Sequence, residues 1–210
     1  MPTSIGLTSF VSFMLACGSA ASQEPIARPE VAVGERWTYQ AYDRHFDEGS
    51  FTIEVGDKTS NGYVLFSRDV TAKTPSLIPS GLTLDLNWLR AAVDGPAANC
   101  WLSFPLSAGR SWACKTPWIS QSGAHGEDSF TFKVVGTEKI TVKAGSFDTI
   151  KIVGEGRWKN NTFGGSDMST ITIWFAPEAR GVARYQRDNW PKNPGNPQNR
   201  LELVRHEAPR

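Results

Sequence analysis

Hydrophobic and polar residues alternate with a period of two from Glu35 onward, in short runs separated by Gly, Asn, Asp and Pro. Such alternation is typical of half-buried β-strands bounded by turns. The runs predict strands over 36–42, 50–56, 63–70, 82–86, 100–104, 111–115, 129–135, 138–142, 149–158, 169–175, 183–187 and 201–206. We therefore expect an all-β protein with little helix.

Helix signals are scarce, and the best helical stretch, 87–94, spans only about two turns. A parallel crossover needs a connection of roughly a dozen residues or more, and none is found where one would be required. The longest plain loop, 189–199, contains three prolines. The chain is therefore expected to form an antiparallel meander with one core and no internal repeat.

One predicted strand carries two glycines on a single face. Gly154 and Gly156 alternate with Ile150, Ile152 and Trp158, and glycine inside a strand marks a bend or a close approach. The neighbouring strand contributes a row of isoleucines, with a tryptophan, Trp174, on its other face. We expect a strongly curved sheet whose ligand-facing surface includes Trp158, Trp174, Gly154 and Gly156, with a gap wide enough for an alkyl chain. The alternative is that the same residues pack closed as core.

Composition is that of an ordinary globular domain. The 210 residues are 40% hydrophobic and 20% charged, and 22 basic residues balance 21 acidic ones to a net charge of +1. This balance gives no electrostatic support for nucleic-acid binding. The 8 tryptophans and 11 phenylalanines fit either cross-strand packing or an aromatic ligand cavity.

The N-terminus has the pattern of an export signal. Residues 5–16 are apolar but too short for a transmembrane helix, which needs about 20 residues. Cleavage before Cys17, with a lipid on its sulfur, competes with ordinary cleavage after Ala21. The preferred division is a lipoprotein signal peptide over 1–16, a flexible tether over 17–32 and one domain over 33–206. This predicts a protein of the bacterial cell envelope, on the periplasmic side and lipid-anchored to the outer membrane.

The other two cysteines, Cys100 and Cys114, are predicted to form a disulfide. A hairpin centred on Ser107 would place them opposite each other, at about the separation that a disulfide accepts. An oxidising compartment favours this pairing. A metal site is the weaker alternative, since no histidine lies at ligand spacing.

Catalytic and cofactor motifs are not found. The histidines His45, His125 and His206 lie in no recognisable catalytic or metal-binding frame. The acidic residues near His45 fit a polar hairpin loop as well as an acid–base pair. Gly164 and Gly165 precede no helix, so phosphate binding is not supported. The sequence thus predicts no catalytic residue, no metal and no cofactor.

Four segments together resemble a known family. They read VGERWTY at 33–39, FPLSAGRSW at 104–112, VKAGSFDT at 142–149 and WFAPEARGV at 174–182. Their order is similar to that in bacterial secreted proteins of unknown function, often lipoproteins, that contain a TapB-like curved β-sheet domain. The resemblance implies a half-barrel related in shape to envelope lipoprotein carriers, without established catalytic residues. Cys100 and Cys114 are not part of this pattern.

Two functions follow as hypotheses. The first is a non-catalytic envelope lipoprotein that holds an apolar ligand, such as a lipid acyl chain, on a concave sheet face. The second is a structural module that docks another envelope protein through an exposed sheet edge or an aromatic patch. An enzyme is not expected.

Overall fold

The computed structural model of the chain describes residues 24–43, 47–68, 78–120, 122–189 and 199–209. These residues form strands but no helix, and hence no helix long and apolar enough to cross a membrane. The strands are β1 (Arg36–Asp43), β2 (Asp47–Lys58), β3 (Gly62–Arg68), β4 (Gly81–Thr83), β5 (Trp88–Arg90), β6 (Ala97–Ala98), β7 (Ser111–Ile119), β8 (His125–Val142), β9 (Gly145–Asn160), β10 (Ser166–Ala176), β11 (Gly181–Asn189) and β12 (Asn199–Glu207). The all-β prediction is confirmed.

The strands form one antiparallel sheet in the order β6-β5-β4-β3-β2-β1-β12-β11-β10-β9-β8-β7. Consecutive strands pair except for β6 and β7, and β1 also pairs with β12, so the antiparallel meander is confirmed. The two edge strands, β6 and β7, follow each other in the chain and lie in contact. The amide of Ile119 donates to the carbonyl of Ala91 across this seam, at 3.1 Å. The sheet thus curls further than a half-barrel, into a nearly closed barrel.

Alternating residues of the strands fill the inside of the barrel. On β1 and β2 the inward rows are aromatic and aliphatic, and on β9 and β10 they are mainly isoleucine. The cross-strand pair Ile152 and Ile173 is fully buried. Side chains of long, paired strands thus supply most of the core, as the period-two pattern indicates.

Some predicted elements differ in the structure. The segment predicted as a helix, 87–94, instead contains strand β5, whose residues pair with β4 and β6. Asn87 holds the start of this strand: its side chain donates to the carbonyl of Leu102 and accepts from the amide of Leu102, both at 2.8 Å. The predicted strands 129–135 and 138–142 are one strand, β8, with an irregularity between Val134 and Gly136.

The connection between β6 and β7 enters the barrel, although part of it, 100–104, is predicted as a strand. Trp101 stacks on Tyr185 of β11, with ring centroids 4.5 Å apart. Phe104 meets Phe175 of β10 edge-on at 5.4 Å. Leu102 is 3% exposed. Residues 99–110, called the plug below, therefore occupy interior space because their aromatic side chains find partners on the opposite wall.

The described part of the predicted tether packs against the barrel. Ile26 and Leu106 exchange two backbone hydrogen bonds of 2.8 Å, and Val31 is 4% exposed. From Ile26 onward this segment thus belongs to the folded unit rather than to a free linker. The predicted signal peptide and Cys17 lie outside the described residues.

Candidate functional site

The disulfide between Cys100 and Cys114 is present, with the two Cα atoms 5.7 Å apart. The hairpin expected around it is not. Strand β7 pairs with β8, where Cys114 lies opposite Phe130, while Cys100 follows β6 at the start of the plug. The indole of Trp112 donates to the carbonyl of Cys100 at 2.8 Å. The bond thus links the two edges of the sheet instead of stapling a hairpin.

The gap expected over Gly154 and Gly156 is filled. A Cβ atom added to Gly154 would overlap the ring of Phe132, and one added to Gly156 would lie 2.8 Å from the ring of Phe130. Phenylalanine rings of the adjacent strand β8 therefore occupy the space that side chains at the two glycines would need. They allow close packing and do not open a channel for an alkyl chain.

Trp158 and Trp174 lie on opposite faces of the sheet. Trp158 pairs with Asp128 and points to the inside of the barrel, in phase with the glycines of β9. Trp174 pairs with Lys151 and Arg184, and both cations lie over its ring, at 5.4 and 5.7 Å from the centroid. The structure therefore does not combine the two tryptophans into one surface.

The outward tryptophan takes part in a separate polar cluster. The indole of Trp174 donates to Glu138 at 2.9 Å, and Lys151 pairs with the same carboxylate at 2.9 Å. These hydrogen bonds from Lys151 and Trp174 lower the pKa of Glu138. This cluster belongs to the outside of the barrel.

Trp158 instead lines a cleft at the barrel end that carries the β7–β8 and β9–β10 turns. The cleft, which we call the arginine–tryptophan cleft, has a volume of about 220 Å³ and is lined by Arg90, Trp118, Asp128, Trp158 and Arg187. These residues project inward because each is in phase with a buried row of its strand. They are the polar continuation of the core.

Asp128 is the anion of this cleft and bonds two arginines. Arg90 donates to its Oδ2 at 2.9 Å, and Arg187 donates to both carboxylate oxygens at 3.3 Å. The Asp128 side chain is 11% exposed and that of Arg187 15%. Arg187 also bonds Ser169 at 3.0 Å, and its guanidinium lies 5.6 Å from the ring centroid of Phe130.

The two arginines keep Asp128 ionised. Burial alone would raise the pKa of Asp128, but the positive charges of Arg187 and Arg90 outweigh burial and hold that pKa below its ordinary value. Burial would likewise lower the pKa of Arg187, but Asp128 raises it. Burial raises the pKa of the nearby Tyr185 to about 12. At neutral pH the cleft therefore contains two cations and one anion.

A second cavity adjoins the first. It measures about 180 Å³, shares Arg90 and Arg187 with the arginine–tryptophan cleft, and has an aromatic wall of Trp88, Trp101 and Tyr185. A cavity of about 150 Å³ is enough for benzene, whereas pockets for drug-sized ligands run from about 300 to 1,000 Å³. Each cavity thus fits a group the size of a ring or a short alkyl chain.

Another buried charge, Glu35, has a structural role. Its side chain is fully buried and accepts from Arg180 at 2.8 Å, from His206 at 2.7 Å and from the amide of Ala32 at 3.2 Å. These contacts tie the residues before β1 to β12 and to the β10–β11 turn. With its oxygens already bonded, Glu35 is not available to a ligand.

The other histidine and acidic side chains that the structure describes add no further site. Nδ1 of His125 lies 2.8 Å from the hydroxyl of Thr162, so it joins two turns. His45 lies outside the described residues. Within the described ranges, no group of three or more His, Cys, Asp or Glu side chains is placed to hold a metal ion.

Sequence reasoning missed the arginine–tryptophan cleft, although a signal was present. Asp128 continues the row of Phe130 and Phe132, and Arg187 continues the row of Ala183 and Tyr185. A charged residue in phase with an apolar row is either paired inside or placed at the mouth of a barrel. Both descriptions apply here, but only the fold brings the two rows together.

Comparison with known proteins gives fold relatives. No protein-family model and no curated protein matches the chain. The crystal structure of a candidate exported protein with a YmcC-like fold from Bacteroides fragilis has a TM-score of 0.52 at 16% identity, over 87% of this chain and 99% of that one. A candidate lipoprotein from Parabacteroides distasonis has a TM-score of 0.52 at 14% identity, over 88% and 100%. The hypothetical lipoprotein YmcC from Escherichia coli has a TM-score of 0.45 at 13% identity, over 85% and 87%.

At such low identity, the first two structures show a shared fold and nothing more. That fold occurs in bacterial proteins described as exported or as lipoproteins, whose names state no biochemical activity. This agrees with the broad resemblance in the sequence. The narrower TapB-like assignment stays a prediction.

Proposed function

We propose that this chain is a non-catalytic lipoprotein of the bacterial cell envelope that binds a small amphipathic ligand at one end of its barrel. The observation that carries the proposal is the pair of adjoining cavities with tryptophan and arginine walls. Core side chains and the plug occupy the middle of the barrel, which leaves these cavities as the place for a ligand. A long acyl chain along the sheet no longer fits, because phenylalanine rings cover the glycines of β9.

Binding suits the cleft better than catalysis does. A general acid or base needs a pKa near the working pH and a proton that it can exchange. Asp128, by contrast, is ionised and held by two arginines. We therefore assign these groups to ligand recognition.

The envelope location rests on the sequence and on the disulfide. Cys17 follows an apolar export segment, and the Cys100–Cys114 bond suits an oxidising compartment. A Cys17→Ser variant should lose incorporation of a fatty-acid label and appear in the soluble fraction. Label retained by this variant, or mature protein beginning at Ser22, would contradict the anchor.

Docking through a sheet edge is the weaker candidate. The two edge strands face each other across the disulfide, and β6 is only 2 residues long. An incoming strand therefore finds little free edge to extend.

The binding proposal is tested by titrating the full-length protein with octanoate, octyl phosphate, 1-octanol and octylammonium while tryptophan fluorescence is recorded. Saturable change with at least one probe supports the proposal. Trp158→Phe should weaken the signal, whereas Trp174→Phe, on the outer face, should leave the binding curve unchanged. The proposal fails if no probe gives saturable binding, or if only the Trp174 variant alters it.

A further inference from the structure

We infer that the ligand of the arginine–tryptophan cleft is a small organic anion, with a carboxylate or phosphate group bound by Arg90 and Arg187 and a short apolar body against the aromatic wall. This inference rests on the proposed binding function and specifies the chemistry of its ligand. It is carried by the charges, the hydrogen-bond donors and the shape of the two cavities.

Charge favours an anion. Among the described residues, the charged side chains that line the two cavities are Arg90, Arg187 and Asp128, so these residues together carry one net positive charge. Both arginines are partly buried, with side-chain exposures of 29% and 15%, so water screens them less than it screens surface cations. A neutral ligand would leave this charge unpaired, and a cation would be repelled by it.

Hydrogen-bond donors also outnumber acceptors. Two guanidinium groups offer ten N–H donors in all by their chemistry, and the acceptors that they meet among the described residues are Asp128, the carbonyl of Thr116 and the hydroxyls of Ser169 and Tyr185. Nε of Arg90 and Nε1 of Trp158 are buried without a hydrogen-bond partner among the residues that the structure describes. Unpartnered buried donors are unfavourable, and ligand oxygens or the waters that they bring would satisfy this surplus.

The position of the arginines defines the orientation of the ligand. Arg90 and Arg187 lie between the two cavities and line both. On one side are Trp118 and Trp158, and on the other the wall that includes Trp88 and Trp101. The anionic group is therefore expected at the boundary, while the apolar body occupies the cavity of about 180 Å³. That volume selects an aryl group or a short alkyl chain.

Asp128 competes with the ligand for the same donors. Its carboxylate occupies the positions on Arg90 and Arg187 that a ligand carboxylate would use. Replacing Asp128 by asparagine keeps the size of the side chain and removes the competing charge. The variant should therefore bind anions more tightly although it loses two ion pairs, a combination that misfolding would not produce.

The test compares octanoate, octyl phosphate, 1-octanol and octylammonium by fluorescence titration and calorimetry on the wild type, Asp128→Asn, Arg187→Gln and Arg184→Gln. Arg184 is the matched control, because it lies on the same strand but on the outer face, where it pairs with Glu202. We expect octanoate or octyl phosphate to bind about tenfold or more tightly than 1-octanol. The better of these two probes identifies the anionic group as carboxylate or phosphate.

Asp128→Asn should tighten anion binding by roughly tenfold, Arg187→Gln should weaken it by about tenfold, and Arg184→Gln should change neither. The inference is overturned if 1-octanol or octylammonium binds as tightly as the anions, or if Asp128→Asn weakens anion binding while the protein remains folded. In those cases the binding proposal stands with a different ligand. If none of the probes binds, the binding proposal itself fails.

Discussion

Removing the disulfide should destabilise the protein at one defined place. The bond joins Cys100, just after β6, to Cys114 in β7, and these are the two edge strands of the sheet. A Cys100→Ala, Cys114→Ala double variant removes the bond and leaves no free thiol from the pair. Alanine is preferred to serine because Cys114 is buried, and a hydroxyl there would need a new hydrogen-bond partner.

The expected loss follows from the loop that the bond closes. The cysteines are 14 residues apart, and a loop of this size corresponds to about 3 kcal/mol in the chain-entropy treatment. For a domain of 150 to 250 residues, 1 kcal/mol shifts the melting temperature by about 2 to 4 °C. The double variant should therefore melt roughly 6 to 12 °C below the wild type.

Thermal unfolding followed by circular dichroism measures this shift, and hydrogen exchange locates it. The amide of Ile119, bonded to Ala91 across the seam, should exchange faster in the variant, whereas amides of β9 should change little. The reduced wild type should behave like the variant, and reductant should not affect the variant. A melting temperature within about 1 °C of the wild type, or acceleration spread evenly over the sheet, would refute the role of the bond in closing the barrel.

Three further outcomes are expected. Gly154→Ala should lower the free energy of unfolding by about 1 to 3 kcal/mol, because its Cβ overlaps Phe132; chemical denaturation without loss of stability would show that a gap exists after all. The pKa of Asp128 is lower in the folded than in the unfolded state, so the stabilisation that its ionised form provides is present above about pH 4 and is lost as the pH falls through the folded pKa. The difference in melting temperature between the wild type and Asp128→Asn should therefore shrink on acidification. A difference that stays constant with pH would contradict this. Trp37→Phe should cost about 1 to 3 kcal/mol in chemical denaturation, because it leaves the carbonyl of Ala179 without its 2.8 Å donor, and a neutral result would mean that water replaces the indole.

The sequence predicts the wall of the barrel better than its interior. Alternation of apolar and polar residues predicts the strands, so the pairing of Gly154 and Ile171 on neighbouring strands follows from the local pattern and the short turns. The stretch 100–104 shows the same alternation, yet Trp101 and Phe104 there contact Tyr185 and Phe175, more than 70 positions away in the chain. Alternation indicates that one face of a segment is apolar. It does not indicate which part of the barrel that face packs against.

The disulfide illustrates a correct pairing reached through a wrong arrangement. Two cysteines 14 residues apart in a chain that is predicted to be exported favour a hairpin, and their pairing with each other follows from their number and the expected compartment. The partner of β7 is nevertheless β8, which pairs with all nine residues of β7, whereas the backbone of the plug bonds residues of other elements such as Ile26 and Val134. Both arrangements are local hairpins, since only residues 120–124 separate β7 from β8, and the longer ladder is the one that forms.

The plug also explains why the proposed ligand is small and why it binds at an end. A nearly closed barrel of 12 strands has an interior wide enough to need filling, and the chain fills it with its own β6–β7 connection. Trp101, at the start of this plug, stacks on Tyr185 and forms part of the cavity wall beside Arg187. The residue that blocks the middle of the barrel thus shapes the cavity that remains open. Since Trp101 follows the disulfide-bonded Cys100 directly, the bond that closes the sheet also holds one wall of the proposed binding site.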